Sequence, residues 1–225
     1  MVLMTASVVV SNIVIGLLLA NQWPDLTEMA TPWELMSLIS PAGASVSRSH
    51  TVSLPGLPDR ATYWHAHAAR MKEEILEKSW CEERQAFAES FGGHELDASI
   101  LLMAEVGLID ARDPRFISTV EAMEKSLCDG PYMRRYEAAD DFGKPETAFN
   151  ICTFWRIDAL AKIGRKAEAR QIFETMLAAR NPLGLLSEDT HPVTGEMLGN
   201  FPQTYSMVGI INAAVRLSAP WDSCI

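Results

Sequence analysis

Two kinds of helix take turns along residues 61–217, and that alternation restricts the fold more than any other feature of the chain. The segment 62–78 carries one apolar stripe, Trp64, Ala68, Met71, Ile75 and Leu76, at the three- and four-residue spacings of a surface helix. The next, 96–109, is apolar nearly all round, from Leu96 through Ile100, Leu102 and Val106 to Ile109, which predicts a helix buried on most sides. A third begins at Asp113-Pro114, a cap followed by a first-turn proline, and presents Phe116, Ile117, Val120, Met123 and Leu127 on one face. Residues 146–163 are again apolar all round and stop at Gly164. Residues 166–179 are amphipathic, and 203–217 are mostly apolar. The order outer, inner, outer, inner, outer, inner predicts an all-α protein, a partial α/α toroid with buried helices lining the centre. A tetratricopeptide-like solenoid is the rival, but the chain keeps no period of about 34 residues.

Connections from inner to outer helices are short, at 110–112 and 164–165. Those from outer to inner are long, at 79–95, 128–145 and 180–202. Antiparallel helices place all three long connections at one end, and long loops in a compact domain usually carry function. The expected site is therefore located by loop length alone.

The remainder divides into an apolar leader, 1–39, and a Ser-, Pro- and Gly-rich linker, 40–60, ahead of a helical domain at 61–225. Residues 2–20 have the length of a short membrane span, but Thr5, Ser7, Ser11 and Asn12 dilute them and no basic residue precedes Arg48. A membrane anchor there is the less favoured reading. A net charge of -10 argues against nucleic acid, whose phosphates need a basic face, and leaves a neutral substrate open. Cys81, Cys128, Cys152 and Cys224 form no CxxC pair and read as free thiols of a reducing cytoplasm. His65 and His67, two apart on a helix, cannot share a metal. No metal or cofactor is expected.

Three segments carry a resemblance: FGGHELDASILLMAEVGLIDARDPRF at 91–116, YMRRYEAADDFGKPETAFNICTFWRIDALAKIGRKAEARQIFETMLA at 132–178, and NPLGLLSEDTHPVTGEMLGNFPQTYSMVGIINAAVRL at 181–217. Together they resemble the C-terminal half of the bacterial family 15 glycoside hydrolases, of glucoamylase and trehalase type, from about Tyr63 to Leu217. The resemblance implies a six-hairpin α/α barrel with about three hairpins present here. It also implies hydrolysis of an α-glucoside or oligosaccharide with inversion. That chemistry needs two carboxyl groups about 6.5–9.5 Å apart, one protonating the leaving oxygen and one deprotonating water.

On this resemblance Glu188, in LLSEDTHP, is the general base, and Arg135, in MRRY, contacts the sugar, with Arg134 the alternative one residue away. Glu146, in PETAFN, is a substrate-binding residue or a helix-start residue. Trp155 and Phe201 offer flat faces for a sugar ring or are plain core. The chain departs from the family pattern at Thr147, where a glycine is usual, at Asp189, where Glu or Gln is usual, and at Met207, where many relatives carry His. The family's general acid lies in an upstream Trp-Glu motif. Trp33-Glu34 matches it in letters only, in an unrelated context. The chain is therefore expected to lack the acid and to need a complementary N-terminal half. The competing reading is a non-catalytic helical interaction protein that retains the fold.

Overall fold

The computed structural model describes residues 58–139 and 143–218, with the side chains of its first helix described from Ala68 onward. The 2–20 segment, Trp33-Glu34, most of the 40–60 segment and Cys224 lie outside the described residues, as do the side chains of Trp64, His65 and His67. The described residues fall into two compact units. One holds Pro58–Lys78 and Leu102–Asp110, and the other holds Ser79–Leu101 and residues 111–218.

In the first unit, helix α1 (Pro58–Lys78) starts on a proline, which has no N–H to leave unsatisfied in a first turn. Met71 and Ile75, one turn apart, are buried, as the stripe predicts. Leu102, Met103, Ala104, Val106, Leu108 and Ile109 are buried too, but they are not an α-helix. The expected inner helix at 96–109 is a 3-10 helix over Ala98–Met103 followed by turns. The entry to this segment is held by a strand-like bridge: Asp97 pairs with Tyr136 and the Ala98 N–H donates to the Arg135 carbonyl. Gly107 then takes a positive φ of 74° and ends any regular winding.

The second unit carries the remaining elements. Strands β1 (Trp80–Cys81) and β2 (Ala86–Phe87) form a hairpin, and β3 (Cys128–Asp129) pairs with β4 (Tyr132–Met133). A three-stranded sheet joins β5 (Ala148–Phe149), β6 (Asp189–Thr190) and β7 (Met197–Leu198), with β6 central. The long connections are thus pinned by short ladders instead of running as open loops.

Helix α2 (Pro114–Leu127) begins as the sequence predicts. The Asp113 carboxylate accepts from the Arg115 N–H at 2.9 Å, Pro114 opens the first turn, and Phe116, Val120, Met123 and Leu127 are buried. Helix α3 (Asn150–Lys162) is buried nearly all round and forms the centre of the unit, packing against α4 (Lys166–Ala178) and α5 (Thr204–Leu217). It stops at Gly164, whose φ of +96° lets the Arg165 N–H reach the Leu160 carbonyl (2.8 Å) and the Gly164 N–H the Ala161 carbonyl (3.3 Å). That pair of bonds is a Schellman stop. Arg156, buried on α3, is neutralised by Glu124 of α2 through Nε (3.0 Å) and Nη2 (2.8 Å), and Glu124 also binds Arg165.

Helix α5 departs from expectation. It is apolar in composition, but its buried residues are small ones, Ser206, Gly209 and Ala213. Ile211 and Val215 are 49% and 72% exposed. The helix covers α3 and α4 with its small-residue face and, among the described residues, nothing covers the other. Contact on the buried face is close: a Cβ placed on Gly209 would lie 2.4 Å from a Phe154 ring carbon.

The Asp113 cap supplies a direct test of how α2 starts. Asp113→Ala is expected to lower stability by about 1 kcal/mol, the usual cost of losing such a cap, as read by chemical denaturation.

Candidate active site

The site is assembled by a buried polar framework at the N-terminal end of α3. Asn150 opens that helix and is fully buried. Its Nδ2 donates to the Ser187 carbonyl (2.9 Å), its Oδ1 accepts from the Thr190 hydroxyl (2.9 Å), and its N–H donates to the Glu188 carbonyl (2.9 Å). The Ser206 hydroxyl of α5 also donates to the Ser187 carbonyl, at 2.8 Å. Residues 187–190 are therefore clamped to two helices by groups that have no water to turn to.

That clamp fixes Glu188. Its Oε2 accepts from both the backbone N–H (3.1 Å) and the side-chain Nδ2 (2.8 Å) of Asn200, while its own N–H donates to the Asn200 carbonyl. Among the described residues Oε1 takes no partner. The turn that brings Asn200 round depends on Gly199, at φ +75°, where an added Cβ would lie 2.9 Å from Glu188 Oε2. Only glycine fits both the backbone and the space.

Arg135 lies at the same end. Its Nε donates to Asp97 Oδ2 (3.3 Å), and Asp97 is buried, paired by a backbone bridge to Tyr136 and bonded to the Ser99 N–H. Burial works against the Arg135 charge, but Asp97 more than offsets this and the guanidinium is held more firmly protonated than usual. Arg134, the alternative, donates instead to the Ser126 carbonyl. Cys152, fully buried one turn into α3, ties the two sides together. Burial above all, then Asp97, raises its thiol well above the ordinary range, with Arg135 opposing and Asp189 adding to the rise. Arg135, Asp97 and Asp189 thus all act on one atom of α3. Tyr205 joins them: burial first, then Cys152, pushes its phenol up to about 12, and its hydroxyl has no partner among the described residues.

Of the other residues the sequence singles out, Trp155 is 5% exposed and packs edge-on against Tyr205, with ring centroids 6.1 Å apart. Phe201 is 49% exposed. Glu146 is exposed and stands four positions before the first residue of α3, in the segment leading to β5, so it does not start the helix. Its expected stabilisation by the helix terminus is thereby removed. The two neighbouring departures from the family pattern meet: the Thr147 hydroxyl donates to Asp189 Oδ2 at 3.1 Å. Asn150, Asn200, Asp97 and Tyr205 were not singled out individually. For Asn150 the signal was an amide set in the apolar run Phe149, Ile151, Cys152, Phe154 and Trp155.

A family model, Glycosyl hydrolases family 15, matches residues 28–215, and the chain belongs to that family. The match begins upstream of the resemblance read from the sequence, and residues 33–34 fall within it. The trehalase of Thermoplasma volcanium is 35% identical over 163 residues, 72% of this chain and 26% of that protein. The chain spans about a quarter of the length of the curated relatives it matches. Among solved structures, a wild-type glycosidase superposes with a TM-score of 0.66 at 18% identity, covering 82% of this chain and 51% of that one. A bacterial glucoamylase complexed with acarbose gives 0.63 at 13%, covering 81% and 33%. These likenesses establish the fold as a partial six-hairpin toroid. Among the described residues no helix is long and apolar enough to cross a membrane, and no group of three or more ligating side chains could hold a metal.

Two expected outcomes follow from the framework and its carboxylates. Asn150→Leu strands the Thr190 hydroxyl and leaves the Ser187 carbonyl with Ser206 alone, at a cost of about 1–3 kcal/mol for the group left unsatisfied, so the denaturation midpoint should fall clearly. Burial first, and then the Glu188 charge, raises Asp189 above its ordinary value against the opposing Thr147 hydrogen bond. A raised carboxyl contributes stability that is present below its unfolded pKa and lost as pH rises through its folded one. Asp189→Asn should therefore melt higher than the parent at neutral pH, with the gain disappearing in acid below the usual aspartate range.

Proposed function

We propose that this chain forms the base-carrying side of an inverting α-glucosidase site, of trehalase or glucoamylase type. Glu188 is the general base. The observation that carries the reading is the asymmetry of its carboxylate: Oε2 is held twice by Asn200 and Oε1 takes no partner among the described residues. An oriented carboxylate with one oxygen left over suits removal of a proton from a water. That water's oxygen then bonds to the anomeric carbon from the face opposite the departing group, and inversion follows. Arg135, held through Nε by Asp97, directs its terminal nitrogens to sugar hydroxyls. Glu146 and Phe201, both exposed, line the approach, and Trp155 backs the floor through Tyr205.

The acid that protonates the leaving oxygen comes from outside the described residues. We assign it to a complementary N-terminal half, which also covers the apolar face of α5. The exposure of Ile211 and Val215 favours such a partner and equally serves the second reading, a helical interaction protein that has kept the fold without turnover.

The 225-residue chain is expected to release no measurable glucose from trehalose or maltose, since loss of a general acid alone costs about 10²–10⁴-fold. It is expected to bind D-glucose, with Arg135→Ala weakening that binding by about tenfold, as measured by NMR titration. Robust turnover abolished by Glu188→Gln would overturn the incompleteness and keep the base assignment. Absence of any glucose binding would favour the interaction protein.

A further inference from the structure

Asp189 is a half-buried carboxylate held by one neutral protein donor, which leaves one oxygen open to a ligand hydroxyl. Thr147 and Asp189 are 42 positions apart and come together through strand register. Phe149 pairs with Asp189 across β5 and β6, so Thr147, two residues before Phe149, sits diagonally opposite Asp189 on the same face. Its hydroxyl engages Oδ2 at 3.1 Å. An ionised carboxylate can accept about four hydrogen bonds, and among the described residues Oδ1 has no donor. No cation takes up the slack: among the described residues no Lys or Arg pairs with Asp189, and Glu188 next door adds a like charge. Oδ1 is not sealed from solvent, so a donor that arrives there takes the place of water.

The chemistry of that arrival is restricted. An anionic ligand would meet the adjacent charges of Asp189 and Glu188. A divalent metal would need a third ligating side chain in reach, which the described residues do not supply. A neutral polyhydroxylated ring supplies donors without charge. On the reading above that this site binds glucosides, we propose that Asp189 is a further sugar-binding residue: Thr147 holds Oδ2, and Oδ1 accepts a hydroxyl from a neutral hexose. Thr147 is then a positioning residue, acting on the sugar through Asp189.

The test uses the full 225-residue chain with ¹³C-labelled Asp and Glu carboxyl groups and labelled Arg side chains, titrated with D-glucose and, as a control, with glycerol. The Asp189 carboxyl signal is expected to move along the same saturation curve as the Arg135 signal, with glycerol moving neither. Thr147→Val should weaken glucose binding by about tenfold, and Thr147→Ser, which restores the hydroxyl, should return it to within about twofold of the parent. Asp189→Asn should weaken it by about tenfold or more while the melting curve shows an intact fold. If glucose moves the Glu188 and Arg135 signals, leaves Asp189 still, and binds Thr147→Val unchanged, this assignment is wrong and the site reading stands. If glucose moves none of the three, the site reading fails and takes the assignment with it.

Discussion

One buried amide governs the working end of this molecule. Asn150 is the first residue of a helix buried on nearly every side, and it directs its Nδ2, its Oδ1 and its backbone N–H to the segment 187–190. In a dry interior such an amide has no second-best state. Either all its bonds are made or its desolvation is uncompensated. The position of Glu188 is thereby fixed by the same cooperative transition that packs the core, and the loop has no independent freedom to drift. Ser206 extends this from α3 to α5, so two helices define where one carboxylate stands.

The electrostatics run the other way. Asp97 pairs with the Arg135 guanidinium, the Cys152 thiol and the Tyr205 phenol lie within its field, and Asp189 acts on the same thiol. Burial disfavours charge at Asp189 and, before Asp97 acts, at Arg135. A fold selected for stability alone would fill that end with hydrocarbon, as it does around Phe154, Ile157 and Leu160. Retaining charged groups in poorly solvated positions is how sites pre-arrange dipoles for a ligand. The contrast within one helix, charged surroundings at Cys152 and apolar ones at Leu160, is the physical signature that separates site from scaffold.

Periodicity made most of this legible. The stripe of α2, its Asp113-Pro114 start, the all-round burial of α3 and its stop at Gly164 are local properties, decided by neighbours three or four residues away, and the sequence carries them openly. Two expectations failed because they depend on distant partners. Residues 96–109 have the composition of a buried helix, but their entry is pinned by the backbone bridge of Asp97 to Tyr136, far along the chain. Residues 203–217 have the composition of a fully buried helix, but burial requires something to be buried against. In the site, single residues such as Glu188 and Arg135 were visible through resemblance, whereas the bonds orienting them, from Asn200 and Asp97, span loops that no periodicity describes. The departures at Thr147 and Asp189 looked independent in the sequence and prove to be one hydrogen-bonded pair.

The missing side chain at Gly209 reaches further than its size. Because a methyl there would overlap the Phe154 ring, the α5 backbone rests directly on that side chain of α3. Ser206 is nearly one turn earlier on the same face, and Tyr205 beside it leans on Trp155. The spacing between these two helices is consequently a dial with one end in the hydrocarbon interior and the other at the Ser187 carbonyl. Bulk introduced at position 209 would be read out as a displaced carboxylate several residues away, which makes a glycine with no polar group of its own one of the residues that set where Glu188 stands.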